Sequence, residues 1–488
     1  MNIILINPPD ENTIVEFPDE NGNSLLEADD YGYFPPLGLL YIASYLEKYS
    51  TGHNIELIDC VAQDISHDDL RVLLANKKPD IIGLTSFTIS LIDVVTVAKN
   101  IRSISSDIHI CLGGHHPIAY PFEASQLECI DSIVVGEGEK AFFDLVNNIN
   151  NSLPLTDITG VYTKGSISST GTPIKDKRFL NSLTVEPAYI ENIDELPFPN
   201  RNFIKGIGYN SIVGVSTKFT TILSSRGCPY LCTFCNVPYK KYRARSPENI
   251  IDEIEECLGL GYEEFHFYDD LFNITPQRVI SICDEIEKRE LKFTWDFRGR
   301  VNSLNKEALY RAKRAGCRMI SFGVETGSNE GFKALKKGCT VEKVQNAFKW
   351  CKEVGIITIA DYMIGLPHEK SKSEIWRNID FLIKLKPDFA QFNILTLYPH
   401  TEAYNQAIAK GLTQDGRWQE FSLNPTSSFT VDHWEEYVSM ADLVKIHRQA
   451  YRKFYFRPSY IIKRLFSIRS IYEFKKGILG VLKLLKFR

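Results

Sequence analysis

The chain has 488 residues, 44% of them hydrophobic and 24% charged. That globular balance excludes disordered, collagen-like and mucin-like classes and leaves room for about three domains at roughly 150 residues each. Lys and Arg (56) against Asp and Glu (61) leave a formal charge of −5, so no global basic field argues for nucleic acid. The eleven cysteines are too sparse for a disulfide scaffold and more than packing alone needs, so their spacing must decide. The N-terminus reaches Pro8-Pro9 without a positive leader segment, and no apolar run approaches the ~20 residues of a spanning helix. The expectation is a soluble protein of a reducing, cytoplasmic compartment.

Asn2–Ile6 reads as a strand, followed to about Gly32 by a loop of Asp, Glu, Asn and Gly. Pro35-Pro36 opens an amphipathic helix over Leu37–Lys48. Strands follow at Ile55–Asp59, Ile81–Ser86, Ile108–Leu112 and Ser132–Val135, with helices around Asp68–Ala75, Leu91–Ile101 and Glu139–Ile149. This alternation predicts a doubly wound, flavodoxin-like α/β domain over residues 1–150. The strand ends carry Asn7-Pro8-Pro9, Thr85-Ser86, Gly113-Gly114-His115-His116 and Gly136-Glu137-Gly138-Glu139. Such a sheet takes its ligand at the carboxyl ends of its strands, where glycine admits close approach. Any one Gly pair reads equally well as a turn; four such loops at successive strand ends point to a ligand.

Residues 151–217, rich in Thr, Ser, Gly and Pro, read as an irregular linker with room for a small hairpin. A second βα series fills 218–405. Its strands are predicted at Thr220–Ser225, Glu264–Tyr268, Phe293–Phe297, Met319–Val324, Thr358–Ile364 and Ala390–Leu397. Helices lie between them at Pro247–Leu258, Pro276–Glu287, Lys306–Ala315, Val341–Val354 and Lys372–Ile383. Six units predict a partial (β/α)6 barrel with its chemistry at the carboxyl ends of the strands. Residues 406–488 read as a helical C-terminal domain, and between Tyr451 and Arg488 eleven basic residues face the single acid Glu473.

The most informative segment is Cys228-Pro229-Tyr230-Leu231-Cys232-Thr233-Phe234-Cys235, a C-x3-C-x2-C triplet following a strand. Soft thiolates at that spacing suit iron–sulfur or zinc. Zinc normally takes a fourth protein ligand, and Cys257 and Cys283 lie in predicted helices without forming a second C-x2-C pair. Three thiolates on a 4Fe–4S cube leave one iron open to a substrate. With aromatic Phe234 before the last cysteine and six βα units behind it, the segment resembles the radical S-adenosylmethionine (SAM) superfamily.

The resemblance implies that Cys228, Cys232 and Cys235 hold a 4Fe–4S cluster whose unique iron is chelated by SAM, with Phe234 near the adenine. Reductive cleavage, fed by an external flavodoxin- or ferredoxin-type donor, would yield methionine and a 5′-deoxyadenosyl radical. Further stretches match at the expected strand ends. Asp269 and Asp270 fall where this superfamily binds the SAM amino group, although Asp270 reads equally as a helix cap. Arg298 and Arg300 could pair with a carboxylate or sit in surface ion pairs, Glu325 is placed for ribose or amino hydrogens, and Gly365 for close approach to the adenine.

A doubly wound domain ahead of such a barrel resembles the cobalamin-binding subclass. The resemblance implies a corrin across the carboxyl edge of the first sheet, its tail among Thr85, Ser86, Gly113, Gly114, His115, Gly136, Glu137 and Gly138. The Asp-x-His-x-x-Gly segment of mutase-type domains is absent after the first strand, so cobalamin without a lower histidine ligand is expected, His115 and His116 serving as loop or tail contacts. Methylation of an unactivated carbon or phosphinate centre of a small-molecule or lipid-like substrate is the leading activity. Oxidative cyclisation or rearrangement is the alternative. A methylthiotransferase would need three further cluster cysteines, for which only Cys60, Cys111 and Cys129 are available, with Cys111 in mid-strand. A non-catalytic sensor would leave the SAM-site series unexplained. The basic tail alternates apolar and cationic residues at helical spacing, which reads either as helices docked on the barrel or as a peripheral membrane contact.

Overall fold

The computed structural model describes residues 1–14, 32–168 and 185–467. The first sheet contains β1 (Asn2–Asn7), β2 (Asn54–Asp59), β3 (Ile81–Ser86), β4 (His109–Gly114), β5 (Ser132–Val134) and β6 (Val161–Thr163), in the order β2-β1-β3-β4-β5-β6. β1 to β5 are parallel, in flavodoxin-like order, and β6 joins antiparallel. Of the stretch where a hairpin was expected, the described residues form one strand that returns to the first sheet, and residues 169–184 lie outside the described residues. Helices Leu37–Tyr49 and Gly138–Asn150 cover one face, and His67–Lys77 and Leu91–Ile104 the other. Covering on both sides is why the strands read as near-continuous apolar runs.

The second sheet comprises β7 (Phe219–Ile222), then, after the short ribbon β8 (Ser225–Arg226) and β9 (Arg243–Ala244), β10 (Glu264–Phe267), β11 (Thr294–Gly299), β12 (Cys317–Glu325), β13 (Ile357–Ile364) and β14 (Phe389–Ile394). The order β14-β13-β12-β11-β10-β7 is parallel throughout. The crossover helices start where the sequence supplies caps. Ser246, Thr275, Asn305, Thr340 and Ser371 each accept the backbone N–H three residues on, satisfying an orphan donor of the first turn. The predicted strand Thr220–Ser225 breaks after Ile222. Its end leaves the sheet to pair with β9, so the cysteine loop is closed by its own two-stranded clip.

Two expectations about organisation change. Residues 151–217 are more than a linker: Arg201 is buried against Glu253 at 2.6 Å, and Arg245 pairs with the same carboxylate, tying this stretch to the barrel's first helix. Residues 406–467 do not gather into one helical domain. Trp418 and Phe421 share a core with Ile118, Tyr120 and Ala124 of the first unit, while helix Met440–Tyr455 lies on β14, with the Tyr451 hydroxyl accepting from Phe392 N. The predicted tail beyond 467 lies outside the described residues. Among the described residues no helix is long and apolar enough to cross a membrane.

The turn after β13 is held by Glu369, which accepts from Leu366 N at 2.9 Å and Asn378 Nδ2 at 2.7 Å. Burial pushes its carboxyl up to about 7. The folded protein therefore keeps a proton that the unfolded chain loses near pH ~4.3, and stability should fall as pH rises from about 4.5 through 7. Glu369→Gln is expected to remove this component, about 3 kcal/mol in full, from the pH dependence of urea unfolding. An unchanged slope would contradict the assignment.

Candidate functional site

The clip places the three cysteines on one loop. Gly227 turns with φ +85°, where a Cβ would sit 2.5 Å from the Lys241 carbonyl, so only glycine lets the loop leave β8 this way. Cys228 N donates to Tyr239 O at 2.9 Å and Cys235 N to Cys232 O at 3.1 Å. All three thiols are partly exposed. Among the described residues the one His, Cys, Asp or Glu group gathered within 4.8 Å is Glu264, His266 and Asp296, not the cysteines. Arg300 supplies a cation here. Its Nη1 lies 3.4 Å from Cys232 Sγ, and its guanidinium 3.8 Å from the Tyr230 ring centre.

The carboxylates at the end of β10 divide. Asp269 faces inward, accepting from Ser224 N at 2.7 Å and from the Ser224 and Ser225 hydroxyls. It locks β10 to the cysteine clip and is not available to a ligand, which corrects the expectation. Asp270 is exposed beside that loop and accepts from Gly227 N at 3.2 Å. Although solvent reaches it, desolvation by the protein around it raises its pKa, with Gly227 N and His115 opposing. Arg298 is exposed, its guanidinium 5.4 Å from the Tyr268 ring centre. Glu325 ends β12 at φ +67°, where the register with β13 shifts. It is buried and paired at 2.7 Å with Lys337, whose Nζ stands 5.5 Å from the Phe234 ring centre. Burial, partly opposed by Lys337, raises the Glu325 pKa. Lys337 went unread because nothing in Lys336-Lys337-Gly338 distinguishes it from a solvated loop. Gly365 adopts φ +72°, a conformation that favours glycine, and a Cβ there would come within 3.0 Å of Leu443 on the last long helix.

The loops of the first sheet also divide. Gly114 turns at φ +93°, where a Cβ would strike Ser86 N and O at 2.6 Å; Ser86 donates to Gly113 O at 2.7 Å. At Gly113 the nearest atom to a Cβ is Leu84 O at 3.9 Å, so that position is open. His115 is exposed and stacked on Phe87, ring centres 5.0 Å apart. Although solvent reaches it, desolvation by the protein around it lowers its pKa, while Asp270 of the barrel acts in the opposite sense. His116 is fully buried against Thr88 and pushed down to about 3, a neutral packing residue.

Glu137 and Gly138 are corrections. Gly136 backs onto Ala188, and Gly138 onto Ile42, where a Cβ would come within 2.7 Å of its side chain. Glu137 meets Arg226 at 2.9 Å and Arg243 at 2.7 Å and accepts from Ile190 N at 2.6 Å, and Glu139 also pairs with Arg226. Burial opposes ionisation of Glu137, but Arg226 and Arg243 hold its carboxyl below the usual range. The Gly-Glu-Gly-Glu segment thus grips the residue two before Cys228 and does not line a ligand groove. No sequence signal links residues 137 and 226.

A Radical SAM superfamily model matches residues 222–410, and a B12 binding domain model matches residues 25–146. Over 489 positions the chain is 30% identical to the uncharacterized methyltransferase PH0819 of Pyrococcus horikoshii, spanning 99% of this chain and 98% of that one. The chain belongs to the cobalamin-binding radical SAM enzymes. It is also 25% identical over 387 residues to the anaerobic magnesium-protoporphyrin IX monomethyl ester cyclase of Rubrivivax gelatinosus, covering 78% of this chain and 67% of the cyclase. Among solved structures, the cobalamin-dependent SAM radical enzyme OxsB with aqua-cobalamin and SAM bound shares the fold at TM-score 0.69. It is 20% identical and covers all of this chain and 71% of its own.

A radical SAM enzyme with a B12 domain works with a 4Fe–4S cluster, SAM and cobalamin. The residues present fit these groups. Three spaced thiols with a cation at Cys232 suit a cluster, and the open edge at Gly113 beside the flat His115–Phe87 pair suits a planar macrocycle. The two units meet beside both sets: Phe234 of the cysteine loop packs against the core that holds Ile118 and Tyr120 of the first unit, and Arg226 pairs with Glu137. The Glu137–Arg226–Arg243 cluster must hold this alignment. Removing one member of a buried ion cluster costs about 3–5 kcal/mol. Glu137→Ala is expected to lose stability of that order by urea unfolding, and a change under about 0.5 kcal/mol, the scale of an ordinary surface substitution, would contradict a buried clamp.

Proposed function

We propose that this radical SAM enzyme transfers a methyl group to an unactivated carbon, or a phosphinate phosphorus, of a small polar molecule in the cytoplasm. The observation that carries this reading is the end-to-end similarity to the Pyrococcus methyltransferase. Such an acceptor is not nucleophilic, so ordinary displacement on SAM fails; the bound cofactors supply radical generation and a transferable methyl group.

In this reading Cys228, Cys232 and Cys235 ligate the cluster and Arg300 offsets its negative charge. Asp270 and Glu325 accept hydrogens from the SAM ammonium and ribose, Arg298 meets an anionic group, and Phe234 flanks the adenine. Leu231, 59% exposed between the first two cysteines, offers an apolar tip for the external flavodoxin- or ferredoxin-type donor. Asp269, Glu137 and Gly138 are positioning residues.

The inner face of the barrel supports a polar acceptor. Along each strand, residues alternate with Phe267, Phe297, Phe322, Tyr362 and Phe392, which pack into the outer helical core. The inward set includes His266, Asp296, Ser321, Asp361, Gln391 and Asn393. His266 pairs with Asp296 at 2.6 Å, and Asp361 accepts from Ser321 at 2.8 Å. A polar lumen favours hydroxyl- or amine-bearing substrates over a sterol or tetrapyrrole. The second reading, oxidative cyclisation, is favoured by the similarity to the Rubrivivax cyclase.

Anaerobic incubation of reconstituted protein with CD3-labelled SAM and an extract of the source organism separates the two. CD3 appearing in a polar metabolite together with deoxyadenosine supports methylation. Deoxyadenosine without transferred CD3 supports cyclisation. Single Cys→Ala changes at 228, 232 or 235 should abolish the cluster absorbance and both products, and iron retained at the parental level would remove those ligand assignments. Once an acceptor is found, Asp361→Asn should lower kcat/KM about ten- to a hundredfold, the value of a hydrogen bond to a charged group. Deoxyadenosine formation without acceptor should be unchanged; equal kcat/KM would exclude Asp361 from substrate binding.

A further inference from the structure

Toward the amino ends of its strands the barrel gathers a donor set different in kind from the cysteine loop. Glu264 opens β10, and alternation turns it and His266 the same way, while the parallel register sets Asp296 of β11 beside His266. One ligand atom from each of the three lies within 4.8 Å of the other two. All three residues are buried, at 1%, 5% and 8% exposure. Glu264 Oε2 is held by Val215 N and Ser216 N, each at 2.8 Å. Phe34 of the first unit and Phe219 of β7 stand edge-on to the imidazole, ring centres 6.0 and 5.1 Å away. The donors are thus fixed in place and screened by apolar rings on that side.

What these groups lack is hydrogen bonds. Glu264 Oε1, His266 Nε2 and Asp296 Oδ2 are each buried without one. Opposite charges are near: Arg318 Nη2 stands 3.7 Å from Glu264 Oε1, and His266 Nδ1 is 2.6 Å from Asp296 Oδ2. An ion network alone still leaves an orphaned atom on every member, which buried polar groups seldom tolerate. A cation shared among the three gives each residue a partner. Two carboxylates and an imidazole suit a divalent first-row ion such as manganese, iron or zinc. Calcium and magnesium take oxygen donors, and the soft thiols of the cysteine loop suit a cluster instead.

We propose that Glu264, His266 and Asp296 bind one divalent transition-metal ion inside the barrel, separate from the proposed cluster on the cysteine loop. The two carboxylates, one of them shared with Arg318, offset its charge. Three protein donors leave coordination positions open to water. On the reading that the lumen receives the methyl acceptor, one open position takes an oxygen or nitrogen of that acceptor and fixes its orientation. The ion site itself does not depend on that reading.

The test titrates manganese(II) chloride anaerobically into the full protein with its cluster reconstituted, free ion being followed by its EPR signal. Manganese is the probe because carboxylates hold it and thiols compete poorly. Manganese, zinc and non-cluster iron found beforehand, plus manganese taken up, should total one ion per chain at millimolar manganese. His266→Gln and Asp296→Asn should each bind manganese at least about tenfold more weakly, with cluster iron as in the parent. Glu263→Gln, exposed and paired with Lys218 one residue away, should bind as the parent does. No saturable uptake and no resident ion in the parent, unchanged binding in both variants, or equal weakening by Glu263→Gln would overturn the proposal. Because uptake is measured without acceptor, its failure refutes the ion and leaves the methyl-transfer reading standing.

Discussion

The arrangement depends on one buried ion cluster, in which Glu137 and Glu139 of the first unit hold Arg226 while Arg243 completes the charge balance. Taking four charges out of water is costly, and the cost is recovered only when each carboxylate and guanidinium finds its partner at hydrogen-bond distance. Separated units would leave those charges uncompensated or hydrated. The clamp acts on Arg226 in β8, immediately before the cysteine loop, so the constraint that joins the units also sets where that loop stands.

An apolar weld reinforces it. Ile118, Tyr120 and Ala124 of the first unit, Leu366 and Leu397 of the barrel, and Trp418 and Phe421 of the following helix form one continuous core. The ion cluster gives direction and the apolar core gives area, and together they keep the glycine edge of β4 opposite the end of β10. Around the cysteines, cations recur: Arg300 reaches Cys232, and Lys337 stands between Glu325 and Phe234. In the proposed role of this loop, such cations would offset the negative charge of a bound cluster.

Much of the fold was legible because it rests on short-range signals. Predicted Ile81–Ser86 and Val341–Val354 match the observed elements residue for residue, since apolar runs and caps such as Thr340 act within a turn or two. The cysteine spacing was legible for the same reason. Glu137 was misread because a Gly-Glu-Gly-Glu loop at a strand end looks the same whether it lines a groove or grips an arginine 89 residues away. Asp269 and Asp270 are neighbours in the loop after β10, but the first is buried on Ser224 and Ser225 while the second is left exposed. Asp361, a lone charge within apolar Ile357–Ile364, carried a signal that alternation could have found.

Periodicity, capping and the thiol triplet, all local in the chain, by themselves determined the two series of parallel strands, their order of appearance and the kind of cofactor the cysteine loop can hold. Tertiary structure alone decided that Asp269 is buried while Asp270 stays exposed, that Gly365 lies against Leu443, that residues 406–467 split between two cores, and that the two units are joined at Arg226. Those outcomes depend on long-range pairing of buried charges and on shape, and neither has a counterpart in the spacing of residues along the chain.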